Sequence, residues 1–302
     1  MVYHNFEELA AGLSGMSPKH VVVAAPHDGH TFEAMQMANA HGNITFTLCG
    51  IKEKMEHGAA EAGFDLGTVE CIYVNEDAEA AEKAVALVDE GKGDLVLKGT
   101  LSTEILLRVI VRTERDLFGK VGISHVSLVE IPAYHKLFGI TDGGMTPHPT
   151  FEEKEMILEN ALNLFRAMGY EQPIVCCMTA TERVSHRMVE TSDAEQMSKN
   201  AAEGKYGNCI VGGPMAFDLA FSQECADIKG YKSPVTGNFD VILTPDINSG
   251  NILTKSMVHT SNGKMAGCIL GSRMPIALTS RGAKSEEKYL SLLMALMAAG
   301  NK

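Results

Sequence analysis

Residues 20–48 read HVVVAAPHDGHTFEAMQMANAHGNITFTL, and this stretch decides the fold class. Residues 20–25 form a short, continuously apolar run. Residues 29–41 place Phe32, Met35, Gln36 and Asn39 at helical spacing, and residues 44–48 are again strand-like. A strand that is apolar without alternation is buried on both faces, as in parallel sheets covered by helices. The pattern continues outward. Residues 52–63 read as a helix, 71–74 as a strand, 77–90 as a helix and 94–98 as a strand. This βαβα alternation predicts an α/β protein built on a parallel sheet.

Beyond that half, residues 149–169 read as a long helix with Thr150 as N-cap and Gly169 as its stop. Strands are expected at 174–178, 209–211 and 240–243, and helices at 193–203 and 285–299. No repeat, low-complexity tract or long linker interrupts the chain, and a domain boundary is expected near residues 131–134.

With 302 residues the chain can form two domains. The formal charge of −12 comes from 38 acidic and 26 basic residues, with no basic stripe, which excludes nucleic acid as an expected partner. It does not exclude small anions, because a few cations focused in a cleft dominate locally. The seven cysteines are scattered, without a CxxC pair, so a reducing, cytoplasmic setting is expected. The N-terminus, MVYHNFEELAAGL, lacks a basic region followed by an apolar core. The longest apolar run, 289–300, is shorter than the roughly 20 residues that a membrane span needs.

The chemistry concentrates between residues 240 and 288. Residues 240–255 read DVILTPDINSGNILTK, and residues 267–288 read GCILGSRMPIALTSRGAKSEEK. Two strand-like runs end there in turns that present amides, hydroxyls, Lys255 and Arg281. In α/β proteins ligands bind where strands end and helices begin, so this is a site for an anion, with phosphate the natural choice. His27 and His30 flank Asp28-Gly29, which could suggest a metal, but a turn into a helix is the blander reading and the one preferred here. No HExxH or GxGxxG pattern is present, so no catalytic metal and no nicotinamide dinucleotide are expected.

Pro245-Asp-Ile-Asn-Ser-Gly-Asn251, Lys255 and Thr279-Ser-Arg-Gly282 resemble the phosphate acetyl/butyryltransferase family. Supporting stretches occur in the same order: Asp94-Leu-Val-Leu-Lys-Gly99, His125-Val-Ser127, Thr141-Asp-Gly-Gly-Met145, Gly213-Pro-Met-Ala-Phe-Asp218 and Lys229-Gly230. Leu97-Lys98-Gly99 and His125-Val-Ser127 fit the butyryl-type branch better than the acetyl-type branch. The sequence departs from the family at Gly212, at Thr146 and at Gly282-Ala-Lys284, which bears on chain-length preference more than on the reaction.

The resemblance implies two Rossmann-like α/β/α domains of the isocitrate/isopropylmalate dehydrogenase type. Residues 1–133 with 270–302 would form the first and residues 134–269 the second, with the active site in the cleft between them. It implies reversible transfer of a short-chain acyl group, butyryl favoured, from CoA to inorganic phosphate. Ser280 would bond the carbonyl oxygen, Arg281 the phosphate, and Glu287 would act as base toward the CoA thiol. Arg108, Lys98, Thr100, Ser102 and Thr103 would complete the phosphate site. Asp142, Gly143, Pro214, Asp218, Asn251 and Lys255 would hold CoA or the acyl group.

Several of these residues have blander readings: Ser102 or Thr103 as a helix cap, Asn251 as another cap, and Arg108 and Lys255 as solvated side chains. CoA is a substrate in this picture, with no permanently bound cofactor. The partners implied are an acyl kinase and further copies of the chain, in a dimer or larger assembly. Alternatives are an acetyl-CoA preference, a hydroxy-acid dehydrogenase-like enzyme, and an inactive CoA-binding homologue.

Overall fold

A computed structural model of the chain describes residues 2–13, 15–40, 44–118, 122–280 and 282–300, with the side chains of 116–118 outside the description. The chain divides into two compact units. One comprises residues 6–122 and 265–302, and the other residues 1–5 and 123–264. They are termed the N-terminal and central units.

The N-terminal unit begins with α1 (Phe6–Ala11), β1 (Lys19–Ala24), α2 (Gly29–Asn39), β2 (Ile44–Ile51), α3 (Lys52–Ala62), β3 (Glu70–Val74), α4 (Asp77–Asp89), β4 (Leu95–Lys98) and α5 (Thr103–Phe118). The central unit follows with β5 (Ser124–Glu130), β6 (Phe138–Thr141), α6 (Phe151–Ala167), β7 (Ile174–Met178), α7 (Val189–Ala202), β8 (Ile210–Met215), α8 (Phe217–Phe221), α9 (Gln223–Lys229), β9 (Val241–Leu243) and α10 (Ile247–Thr260). The chain then returns to the first unit with β10 (Lys264–Leu270), β11 (Ile276–Ala277) and α11 (Ser285–Ala299).

Strand order in the N-terminal unit is β3-β2-β1-β4-β11-β10. All its pairings are parallel except β10–β11. In the central unit the order is β5-β6-β9-β7-β8, parallel except for β5–β6. Each sheet is therefore mixed rather than all-parallel. The loops 271–275 and 131–137 are too short for a parallel crossover, so the strands they join run antiparallel.

Local signals explain the helix boundaries. The Asp28 side chain accepts from Thr31 N at 2.7 Å and starts α2. Thr150 and Glu153 form a reciprocal capping box that starts α6. In the central unit, Tyr134, Phe138, Phe221 and Phe239 pack edge-to-face and stacked within the core. Lys136 donates to Asp240 at 2.7 Å with both side chains 4% exposed, and Asp240 accepts from Ile174 N at 2.8 Å. In the N-terminal unit the order of strands reverses at β1: the chain moves outward through β2 and β3, then starts again on the other side with β4. The C-terminal ends of β1 and β4 therefore border a switch point, where open α/β sheets bind ligands.

Candidate active site

At that switch point the backbone of β4 runs directly onto the turn after β1. Gly99 N donates to Ala24 O at 2.8 Å and Thr100 N to Ala25 O at 2.9 Å. A Cβ on residue 99 would lie 2.1 Å from Ala25 O, so only glycine fits there. The Thr100 hydroxyl also donates to Ala25 O, at 3.3 Å. Ser102 Oγ accepts from Ile105 N at 3.1 Å and caps α5, as the blander reading held. Thr103 opens that helix.

Lys98 is fully buried at the end of β4. Its ammonium donates to the carbonyls of Gly99 and Thr279, each at 3.3 Å, and so ties the end of β4 to the end of β11. The sequence pointed this lysine at a phosphate; in the fold it faces backbone oxygen. Ser280 is exposed immediately beyond this tie, and Ala283 N donates to Ser280 O at 3.1 Å to close a turn. Arg281 lies outside the described residues. Gly282 has open space where a side chain would stand, so no close backbone approach requires a glycine there.

Glu287 sits in the first turn of α11, half-buried, and its carbonyl accepts from Ser291 Oγ at 2.8 Å. Ser291 Oγ in turn accepts from Gly267 N at 2.9 Å. The next residue, Lys288, was not foreseen. It is 1% exposed, and its Nζ is 3.6 Å from Asp28 Oδ2 with no hydrogen-bond partner among the described groups. Burial pushes this ammonium's pKa down, while Asp28 acts against the shift. A lone charge at the head of the otherwise uncharged run 288–297 is the signal that could have revealed it.

Arg108 lies on α5. Its side chain is 75% exposed and pairs with Glu104 one turn earlier, at 2.7 Å. The histidines after β1 serve the turn: His27 Nε2 accepts from Ile51 N at 3.0 Å, and His30 Nδ1 is 2.9 Å from Ser285 Oγ.

The central unit has its own cluster at the ends of β6 and β9. Asp142 is buried, and its carboxylate accepts from the amides of Gly144 (2.7 Å), Met145 (2.9 Å) and Thr146 (3.3 Å). It organises the Gly143-Gly144 turn from inside, so what this turn offers a ligand is backbone. Asn251 Nδ2 donates to Gly143 O at 3.0 Å. A Cβ on residue 250 would come within 2.5 Å of Asp142 O, so the first turn of α10 sits flush against this loop. Asp246 caps α10 by accepting from Ser249 N at 2.9 Å. Behind the turn, His125 is buried with its Nδ1 unpartnered. Burial holds its pKa below the usual histidine value, with Asp142 acting against the shift.

Asp142, Gly143 and Asn251 are thus brought together. Pro214 is buried in β8. Asp218 lies on α8 in an ion pair with Lys229 at 2.9 Å, which joins two of the motifs seen in the sequence. Lys255 is exposed on α10. A pocket of about 520 Å³ opens beside Asp246 at the ends of β7 and β9. No group of three or more potential metal ligands occurs among the described residues, and no helix among them is long and apolar enough to cross a membrane.

A profile of the phosphate acetyl/butaryl transferase family matches residues 77–298. The phosphate butyryltransferase of Clostridium acetobutylicum is 33% identical over 298 residues, with 99% of each chain covered. A phosphate acetyltransferase from Rhizobium meliloti is 35% identical, covering 98% of this chain and 94% of its own. Among solved structures, a branched-chain phosphotransacylase from Enterococcus faecalis superposes with a TM-score of 0.81 at 28% identity, covering 94% of this chain and all of that one.

Proposed function

Because the chain belongs to the phosphate acetyl/butaryl transferase family, we propose that it catalyses reversible transfer of a short-chain acyl group from CoA to inorganic phosphate, with butyryl-CoA as the favoured donor. The observation that carries this reading is the match to a phosphate butyryltransferase through 99% of both chains, which takes in the strand ends at Lys98, Ser280 and Asp142 and the start of α10 at Asn251. Their order and local setting at the C-terminal strand ends support it.

In the forward direction a phosphate oxygen attacks the thioester carbon. The new C–O bond forms, the C–S bond breaks, and the proton carried by phosphate ends on the CoA sulfur. Three demands follow: a held phosphate, a stabilised carbonyl oxygen and a proton path at sulfur. Arg281 binds phosphate with its guanidinium fork, aided by Arg108 and the Thr100–Thr103 loop. Ser280 donates to the carbonyl oxygen, its exposure beyond the Lys98 tie leaving the hydroxyl accessible. Glu287 handles the proton at sulfur. In the reverse direction an ordinary thiol near pKa 8.5 gives its proton to an ordinary carboxylate near 4.3 only uphill, by roughly four units, so that transfer is concerted with the change at carbon. Lys98 contributes by position, holding the two strand ends that carry Thr100 and Ser280.

In the central unit the Gly143 turn, Asn251, Pro214, Asp218 and Lys255 contribute to holding CoA, with Asp142 shaping the turn. The two units serve as the two domains of the isocitrate/isopropylmalate dehydrogenase-type architecture. The enzyme works in the cytoplasm as a homo-oligomer, with CoA as a substrate rather than a resident cofactor, and its acyl phosphate product suits an acyl kinase. The acetyl-CoA reading stays in view through the 35% identical acetyltransferase. Phosphate-dependent CoA release from acetyl-, propionyl-, butyryl-, isobutyryl- and valeryl-CoA, read with a thiol reagent, tests the reading. Release ranked by acyl chain and absent without phosphate is expected; release without phosphate, or none at all from folded protein, overturns it.

A further inference from the structure

The pocket of about 520 Å³ lies wholly within the central unit, and none of the CoA residues named above lines it. Its size suits a nucleoside-sized ligand. The lining is mixed in character: Met178, Phe217 and Leu253 are apolar, and Thr179, Asp246 and Glu190 bring hydrogen-bond acceptors. Phe217 is 47% exposed, yet its ring is not loose: it stacks on Phe221 with centroids 4.5 Å apart and planes 28° apart. One face is therefore backed and the other is available to a ligand. Charge narrows the choice. Lys154 also reaches the pocket, but its ammonium is bound to Asp193 at 2.7 Å. The remaining carboxylates, Asp246 and Glu190, disfavour a phosphate inside.

We propose that this pocket holds the adenine ring of the acyl-CoA, stacked on Phe217, with its exocyclic amine donating to an acceptor of the lining. This rests on the acyltransfer reading above. CoA has three kinds of parts. Its phosphates are anionic and do not suit a lining that carries Asp246 and Glu190. Its pantetheine arm is flexible and has no π-face to use a rigid aromatic platform. Adenine alone combines a flat face with N–H donors. The phosphates would then lie outside the pocket and the thioester beyond them.

The experiment compares wild type and Phe217→Ala with two thioesters, butyryl-CoA and S-butyryl-4′-phosphopantetheine, which lacks the adenosine portion. Loss of one base–aromatic stack should lower kcat/KM for butyryl-CoA roughly tenfold, through KM, and leave the ratio for the truncated thioester within about twofold. Adenosine 3′,5′-bisphosphate should compete with butyryl-CoA and weaken by the same factor in the variant. Equal losses on both thioesters would place the arm or the acyl chain in the pocket and overturn the proposal, as would no loss on either. Because Phe217 is half exposed, its truncation leaves the core intact. If wild type releases no CoA from either thioester, the reaction assignment fails instead; calorimetric binding of adenosine 3′,5′-bisphosphate, weakened by Phe217→Ala or not, then still decides the pocket.

Discussion

Replacing Lys98 with Met separates two roles for a buried cation. The substitution keeps the length of the side chain and removes an ammonium that donates to Gly99 O and Thr279 O at 3.3 Å each. Both residues are buried, so neither carbonyl gains water when the donor goes. A buried acceptor left unpaired costs about 1–3 kcal/mol, so two cost about 2–6 kcal/mol. Relief from burying the ammonium offsets part of this, which leaves about 2–4 kcal/mol. For a unit of this size each kcal/mol moves the midpoint by about 2–4 °C, giving a fall in Tm of about 4–16 °C by calorimetry. The same change frees the end of β11 just before Ser280, so kcat should fall along with stability. A Tm within about 2 °C of wild type, together with a phosphate KM raised tenfold or more, would refute the reasoning. It would mean that Lys98 acts on phosphate directly and that its bonds to the strand ends carry little.

What the sequence could reveal followed from how locally each feature is encoded. The run from His20 to Leu48 announced a strand, a helix and a strand because burial on both faces leaves its mark within a few residues. Strand β5, SHVSLVE, left no such mark: its Ser124, His125 and Ser127 are polar and yet buried, and Asn160 reaches in to bond Ser124 at 3.0 Å. The placement of residues 2–5 in the central unit depends on Tyr3, whose amide donates to Tyr170 OH at 3.1 Å and whose carbonyl accepts from Leu137 N at 2.9 Å. Those partners lie more than 130 residues away. The motif around Asp142 was visible, but motif letters do not say whether a carboxylate faces a ligand or three amides of its own turn. For Lys288 the missing information was its partner, since Asp28 lies at the other end of the chain. The resemblance likewise singled out Arg108 without giving the face of α5 it occupies, which its exposure and its pairing with Glu104 set outward. Motifs thus located the chemistry at the strand ends, while the assignment of each polar atom depended on contacts across the fold.

The Arg281→Ala variant should raise the KM for phosphate at least tenfold and lower kcat, about the effect of losing a charge-assisted bidentate contact; initial rates across a phosphate series check this, and an unchanged KM removes Arg281 from the phosphate site. Lys136→Met should cost about 3–5 kcal/mol in urea unfolding, because Asp240 would stay buried without its cation; adding Asp240→Leu should restore part of that loss, and a single variant as stable as wild type would contradict it. The third case concerns pH. His27 Nε2 accepts from Ile51 N, so the folded state needs the neutral ring. Burial lowers its pKa from 6.5, with Asp77 acting against the shift. A histidine with a depressed folded pKa contributes stability that is present above 6.5 and lost as pH falls, because the unfolded chain takes up a proton that the native state refuses. The loss approaches about 1.4 kcal/mol per pH unit for one proton. His125 shifts in the same direction, and carboxylates also titrate toward acid, so the wild-type slope alone does not isolate His27. His27→Gln does: the amide oxygen can still accept from Ile51 N, but it does not titrate. Urea unfolding between pH 7 and about 5 should therefore show a slope shallower by up to one proton in the variant. Equal slopes would mean that the imidazole can be charged in place and that the bond to Ile51 does not govern its protonation.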